Sequence, residues 1–242
     1  MAPYTPAALT PGQAARQIPV ESTQVRAGGR TWNLLAVDNQ DALIDAVEDL
    51  EHMPYGFLLW ESAIGMARFI MDNPHLVNGK STLEIGCGVG LSGIIAAVCG
   101  AQVDQTDHQP GVLELARKNA AANGVTNIRQ FIADWRDWNV RERYDVVIGA
   151  DVMYERAMHY HLEKLFRQTV KPGGTLILSD PGRPQSMELL SRMEKTGWCI
   201  QTDFLPVTLQ GGDAIKAQPT QDAKNDGTRE VQVVIARAVL LP

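Results

Sequence analysis

The chain has 242 residues, of which 45% are hydrophobic and 21% charged, and this length and composition predict a single α/β domain with one sizeable core. Its formal net charge of −6 at pH 7 argues against a nucleic-acid backbone or an anionic membrane as the main partner, because both require a basic face. The three cysteines are scattered and no apolar stretch could span a bilayer, so we expect neither a disulfide framework, a zinc knuckle nor a membrane span.

The N-terminal part of the chain precedes any regular pattern. Residues 1–17 are rich in Ala and Pro and lack the charged start and apolar core of a secretory signal, so we expect a loose tail and a cytoplasmic protein. Residues 24–37 contain a Gly-Gly pair and predict a hairpin, and residues 38–51 predict a helix with acidic residues on its solvent side. A loop with Pro and Gly then leads into a helix that begins near Trp60, whose indole is either core filler or a wall of a ligand site.

From residue 81 onward, buried-strand patterns alternate with helical periodicity, which predicts a doubly wound, mostly parallel sheet with right-handed crossovers. Two consecutive strands at the end predict a closing hairpin, and residues 210–228 between them, rich in Gly, Gln, Asp and Lys, predict a mobile loop. We expect one domain over 18–242, with 18–80 as an N-terminal extension and 81–242 as the core. Strands are predicted near 81–86, 102–107, 127–134, 144–151, 175–180, 199–207 and 229–238, and helices near 90–99, 110–123, 156–169 and 184–197.

Alternating glycines follow the first of these strands. Gly86, Gly88 and Gly90 form a G-x-G-x-G loop, whereas a dinucleotide-binding loop requires its third glycine at position 91, which is Leu91. Glycines let a backbone lie directly against a ligand, and Glu84 beside them suits a zwitterion with an ammonium group better than a pyrophosphate. The alternative is a glycine-rich turn between any strand and helix. The spacing resembles motif I of the class I (seven-β-strand) methyltransferases that use S-adenosyl-L-methionine (AdoMet).

Acidic residues end the next two strands. In an open parallel sheet, ligands lie outside the carboxyl ends of the strands, where the strand order switches. Asp107 comes about 20 residues after the glycine loop, a spacing at which an acid can take both ribose hydroxyls, and its alternative role is a helix cap. Asp134 can accept a hydrogen bond from the exocyclic amine of adenine, and Trp135 beside it can supply a face or edge for the ring.

The fourth and fifth strands deliver the candidate catalytic residues. Asp151 can hold an arriving lysine ammonium and pass its proton towards solvent, and Tyr154 can shape the channel and hydrogen-bond the amine. Their alternative roles are a helix cap and a packing residue. The fifth strand leads into Asp180-Pro-Gly-Arg183, where Arg183 can orient substrate, grip a carboxylate or belong only to a turn. The five histidines do not group with carboxylates at metal-ligand spacing, so no metal site is predicted.

Together these motifs resemble the protein-lysine branch of the seven-β-strand methyltransferases over about residues 53–185. The D-P-G-R stretch is similar to the post-strand motif of the electron-transfer-flavoprotein β-subunit lysine methyltransferases and their bacterial relatives. The resemblance implies AdoMet as cofactor, a lysine side chain of a protein as methyl acceptor, and a Rossmann-like sheet of seven strands with an antiparallel last strand. It also implies an AdoMet site lined by Trp60, the glycine loop, Asp107, Trp135, Ala150 and Tyr154.

Three other functions stay open. A small-molecule N-methyltransferase of the nicotinamide type would use the same scaffold, and a non-catalytic AdoMet-binding module is disfavoured by the intact Asp151–Tyr154 pair. A nucleic-acid amino-methyltransferase would want D/N-P-P-Y/F after the fourth strand, where this chain has Val152 and Met153 between the acid and the tyrosine. We therefore expect a protein substrate, no nucleic-acid partner and no membrane partner. The sequence makes no prediction of the oligomeric state.

Overall fold

The computed structural model describes residues 18–46, 53–209 and 229–241. The predicted tail and the predicted 210–228 loop lie outside these residues, as does the end of the predicted helix over 38–51. That helix begins as α1 (Gln40–Ala46), after the hairpin of β1 (Val20–Ala27) and β2 (Arg30–Val37). The remaining elements, in chain order, are α2 (Glu61–Asp72), β3 (Ser81–Ile85), α3 (Leu91–Val98), β4 (Gln102–Asp107), α4 (Pro110–Ala122), β5 (Arg129–Ile132), β6 (Tyr144–Ala150), α5 (His159–Thr169), β7 (Val170–Asp180), α6 (Pro184–Lys195), β8 (Trp198–Leu209) and β9 (Arg229–Leu240).

The main sheet has seven strands in the order β5-β4-β3-β6-β7-β9-β8. Only β9 runs antiparallel to its neighbours, so the fold is the doubly wound, mostly parallel sheet that the sequence predicts. The strands β4 and β6 flank β3 on opposite sides, and the strand order therefore switches at β3. This is the point at which open α/β sheets bind their ligands.

The core lies on both faces of this sheet. One buried cluster contains residues of α2, α3 and the N-terminal hairpin, and the other contains residues of α5 and α6. The hairpin packs on α2 and α4 as a separate two-stranded sheet. Four of the five residues of β3 are fully buried, as is typical of a parallel strand covered by helices on both sides. Among the described residues, no helix is both long and apolar enough to cross a membrane.

Two strand boundaries differ from the prediction. β5 spans only four residues because Asp134 caps a short 3-10 turn over Trp135–Asp137, accepting a hydrogen bond from the Arg136 amide. β7 begins at Val170 instead of near 175, because its first residue already pairs with Tyr144 before the register shifts. The helix predicted over 156–169 is a 3-10 turn followed by α5.

A buried and an exposed residue of α5 allow a simple test of how this helix packs on the core. Phe166 is fully buried, and the same helix carries Tyr160, whose exposed fraction is 73%. We expect Phe166→Ala to lower the free energy of unfolding by about 3–5 kcal/mol, because it removes a large side chain and leaves a cavity. Tyr160→Ala should change it by less than about 0.5 kcal/mol in the same urea titration. Equal losses for the two variants would contradict the described orientation of α5.

Candidate active site

A cleft of about 430 Å³ opens at the carboxyl ends of β3, β4, β5 and β6. Four of the residues that the sequence analysis selected line it: Gly86 after β3, Asp134 and Trp135 after β5, and Tyr154 after β6. After β4, the lining residues are His108 and Gln109, which the sequence analysis did not select. Tyr55, from the loop before α2, lines the opposite wall together with neighbouring apolar side chains. The site is therefore assembled from residues that are far apart in the chain.

The glycine loop has a conformation that only glycine adopts readily. Gly86, Gly88 and Gly90 have φ values of 56°, 51° and 86°. A Cβ atom on Gly86 would lie 2.8 Å from Cζ2 of Trp135, and one on Gly88 would lie 3.2 Å from the carbonyl oxygen of Gly56. The loop is thus closely packed, and of its three glycines Gly86 lines the cleft.

Glu84 lies beneath this loop, inside the protein. Its Oε2 accepts hydrogen bonds from the Gly93 amide (3.0 Å) and from Nε2 of Gln105 (2.7 Å). The same Gln105 nitrogen donates to the carbonyl of Gly90 at 3.0 Å. Burial raises the pKa of Glu84 to about 7, and the hydrogen bonds from Gln105 and Gly93 oppose the rise. The structure places Glu84 as an internal support of the loop, and its contact with an ammonium group stays a prediction.

Asp107 connects the glycine loop to the end of β4. Its Oδ2 accepts a hydrogen bond from the Gly88 amide (3.2 Å), and its Oδ1 accepts one from the Gln109 amide (3.1 Å). The N-cap residue of α4 is Gln109, so Asp107 orders the turn before the helix and is not the cap itself. Nδ1 of His108 lies 3.4 Å from Oδ1 of Asp107 as well, and Asp107 is buried beside the cleft lining. A carboxylate has about four lone-pair sites, so Asp107 keeps limited acceptor capacity, and its contact with ribose hydroxyls stays a prediction.

Asp134 and Trp135 form the wall that follows β5. Both carboxylate oxygens of Asp134 accept hydrogen bonds from Arg136, at 2.9 Å from Nε to Oδ1 and 2.6 Å from Nη2 to Oδ2. The Arg136 guanidinium holds the pKa of Asp134 below its usual range. Any adenine amine would share Asp134 with this arginine. Trp135 is half-buried between the cleft and Gly86.

Trp60 and Ala150 sit closer to the core than the residues above. Trp60 is the N-cap of α2, its Nε1 donates to the Tyr55 carbonyl at 3.2 Å, and its ring meets that of Tyr55 edge-on at 6.2 Å between centroids. Tyr55 lines the cleft, and Trp60 packs against it and against the core. Ala150, the last residue of β6, is half-buried against the same cluster. Direct cofactor contacts of Trp60 and Ala150 stay predictions.

Asp151 belongs to a buried network of charges. Nη1 of Arg183 donates to Oδ1 of Asp151 and, at 3.0 Å, to Oδ2 of Asp180, while Oγ of Ser62 donates to Oδ2 of Asp151 at 3.3 Å. Burial raises the pKa of Asp151 to about 6, and Arg183 opposes the rise. Its φ of 58° is strained for a non-glycine residue. The helix-cap alternative for Asp151 is wrong, because α5 begins eight residues later, at His159.

The segment from Asp151 to Tyr154 is anchored by side chains that the sequence analysis did not select. The carbonyl of Tyr154 accepts a hydrogen bond from Nε2 of Gln185 (3.1 Å), and the carbonyl of Met153 accepts one from Oγ of Ser186 (3.3 Å). The Tyr154 ring lines the cleft and remains 44% exposed. Burial of its hydroxyl raises the pKa of Tyr154, which keeps it protonated near neutral pH. The backbone is fixed while the ring faces the cleft.

The raised pKa of Asp151 predicts a pH-dependent stability. The pKa in the folded state, about 6, exceeds the reference value of 3.8, so the stability that Asp151 contributes is fully present below pH 3.8 and is lost as the pH rises through 6. Asp151→Asn cannot titrate. We expect its unfolding free energy, relative to the unsubstituted protein, to rise between pH 4 and pH 7 by at most about 3 kcal/mol.

Asp145→Asn is the control, because Lys171 lowers the pKa of Asp145 to about 2. Chemical denaturation should show the same difference in unfolding free energy between Asp145→Asn and the unsubstituted protein at pH 4 and at pH 7. If the unfolding free energy of Asp151→Asn differed from that of the unsubstituted protein by the same amount at pH 4 and pH 7, the raised pKa of Asp151 would be contradicted.

Comparison with known proteins places this geometry in context. Residues 38–195 match the family model described as "Lysine methyltransferase". The chain is 28% identical over 163 residues to the histone-arginine methyltransferase METTL23 of Mus musculus, covering 63% of this chain and 64% of that protein. It is 30% identical over 144 residues to the electron transfer flavoprotein beta subunit lysine methyltransferase of Homo sapiens, covering 54% of this chain and 51% of that protein. The chain thus spans between about half and two thirds of the length of these curated relatives.

Solved structures share the fold at low sequence identity. A precorrin-6y C5,15-methyltransferase from Geobacter metallireducens superimposes with a TM-score of 0.55 at 14% identity, over 71% of this chain and 86% of that one. A ribosomal protein L11 methylase from Lactobacillus delbrueckii gives a TM-score of 0.51 at 16% identity, over 73% and 78%. These likenesses show the fold alone.

Proposed function

The chain belongs to the lysine methyltransferase family, and we propose that it transfers methyl groups from AdoMet to the side-chain amine of a lysine in a protein. One observation carries the proposal: the glycine loop, the Trp135 wall and the Tyr154 ring meet at one cleft at the switch point of the sheet. The cleft volume, about 430 Å³, lies in the range of small-molecule and cofactor sites.

The residues of the cleft fit AdoMet chemically. Gly86 lines the cleft, and because it has no side chain its backbone is open to a ligand. Asp107 has acceptor capacity for ribose hydroxyls, and Trp135 offers a ring for adenine to pack on. When bound, AdoMet supplies a methyl group on a positively charged sulfur, and an amine takes it by in-line displacement, for which alignment is the main requirement.

The network around Asp151 suits a cationic amine. Two buried carboxylates, those of Asp151 and Asp180, share the single guanidinium of Arg183, so the group carries a net negative charge when both acids are ionised. With a pKa of about 6, Asp151 is mostly ionised near pH 7 but lies close enough to neutrality to accept a proton. Asp151 would attract the ammonium and take up its proton, and the Tyr154 hydroxyl would hydrogen-bond the neutral amine.

Lysine is a better acceptor for this site than arginine, which the name of METTL23 raises as a candidate. A guanidinium is bound best by paired acceptors in a bidentate geometry, whereas an ammonium needs only one carboxylate as a point charge. Arg183 already bridges Asp151 and Asp180, so an arginine substrate would lack that pair.

Substitution within the glycine loop tests the cofactor site. We expect Gly88→Val to abolish binding of S-adenosylhomocysteine (AdoHcy), the demethylated cofactor, because the new side chain would press on the Gly56 carbonyl and displace the loop whose Gly86 lines the cleft. Gly124→Val is the matched control, since Gly124 has a similar φ of 76° with open space around it. It should bear comparable backbone strain and bind AdoHcy with unchanged affinity in calorimetry. Normal binding by a folded Gly88→Val protein would contradict the site.

Incubation of the purified protein with labelled AdoMet and a lysate of its source cells tests which molecule accepts the methyl group. We expect label in a discrete protein band, and methyl-lysine after acid hydrolysis of that band. Asp151→Asn should keep AdoHcy binding and lower the labelling rate at least about 100-fold, the size of a lost acid–base contribution. Methylarginine in the hydrolysate, or label only in small molecules, would overturn the lysine assignment. Binding without any transfer would favour a non-catalytic module.

A further inference from the structure

Asn119 of α4 and Asn123, the C-cap residue of that helix, hold one edge of the N-terminal hairpin. Oδ1 of Asn119 accepts from the Leu35 amide (2.7 Å), and its Nδ2 donates to the Leu35 carbonyl (3.0 Å). Asn123 repeats the arrangement with Asn33, at 3.1 Å from the amide and 2.7 Å to the carbonyl. Both asparagine side chains are buried. Each side-chain amide therefore acts as a peptide group that pairs with β2.

The spacing explains why this pairing is regular. Four residues of a helix rise about 6 Å, and two residues of a strand rise about 6.6 Å. Asn119 and the C-cap residue Asn123, four residues apart, consequently contact residues two apart on β2, whose N–H and C=O groups point to the same edge. The two side-chain amides are equivalent in how they hold β2. The backbone carbonyl of Asn123 also accepts a hydrogen bond from Nη2 of Arg30 (3.1 Å), which a substitution of the side chain leaves in place.

The two side-chain amides differ in one contact. Nδ2 of Asn119 also donates to the carbonyl of Val89 at 2.9 Å, whereas the second bond of Asn123 Nδ2 goes to the Asn119 carbonyl within α4. Val89 lies between Gly88 and Gly90, in the middle of the glycine loop. A single buried amide thus links the hairpin to the loop. The hairpin itself precedes the residues that match the family model.

We propose that Asn119 is a positioning residue that couples the N-terminal hairpin to the glycine loop, so that the docked hairpin increases the affinity for AdoMet. The inference rests on the proposed use of AdoMet, but not on the identity of the methyl acceptor. Asn119 fixes the orientation of the Val89 carbonyl and hence of the peptide groups that flank it. By linkage the coupling is reciprocal, and a bound cofactor stabilises the hairpin to the same extent.

Asn119→Ala and Asn123→Ala form a matched pair. Each variant leaves one amide and one carbonyl of β2 without its partner, so we expect similar decreases in Tm. Asn119→Ala should weaken AdoHcy binding about five- to ten-fold, as expected for one lost hydrogen bond, and raise KM for AdoMet without lowering kcat. Asn123→Ala should bind AdoHcy within about two-fold of the unsubstituted protein.

Hydrogen exchange provides a measurement that does not depend on the variants. In the unsubstituted protein, AdoHcy should slow amide exchange of residues 30–37, although these residues lie outside the cleft. Slowed exchange only in the glycine loop would overturn the inference, as would equal weakening of AdoHcy binding in the two variants or unchanged binding in a folded Asn119→Ala protein. A protein that binds no AdoHcy at all would instead contradict the proposed function.

Discussion

The hydrogen bond from the Gly93 amide to the buried carboxylate of Glu84 is the contact on which the site depends. It fixes the first turn of α3 against the end of β3, and Gln105 extends it to the Gly90 carbonyl from the neighbouring strand. Because the loop is held from inside, its outer surface stays free for a ligand. Asp107 then closes the loop from the side through the Gly88 amide. Preorganisation of this kind lowers the cost of ordering a binding site.

A second buried acid serves a different purpose. Asp151 and Glu84 both have pKa values raised by burial, yet Glu84 is paired with neutral donors and Asp151 with a guanidinium. Asp151 also has a strained backbone conformation, which the surrounding contacts of α6 maintain. Strain and a perturbed pKa at one residue beside a cleft are features of catalytic positions. Glu84 thus supports the loop from inside, whereas Asp151 is the residue to which the proposed function gives proton transfer.

Short local signals predict most of this arrangement. Glycines after a strand and polar residues at strand ends can be recognised from a few neighbouring residues. Because ligand sites in parallel sheets lie at the carboxyl ends of the strands, these patterns predict that Gly86, Trp135 and Tyr154 line one cleft. The side to which Glu84 points was not predictable, because its neighbours Leu83 and Ile85 are both buried and no alternation marks a solvent side. Asn119 was missed for another reason. Its partner Leu35 is 84 residues away, and a buried amide has no sequence signature of its own.

We infer that the switch point of this sheet binds AdoMet and not a dinucleotide. Calorimetric titration of the unsubstituted protein with AdoHcy, and separately with NAD⁺, tests it most directly. We expect heat of binding for AdoHcy with one site per chain, and none for NAD⁺. Absence of heat with AdoHcy, or heat with NAD⁺ alone, from folded protein would contradict it.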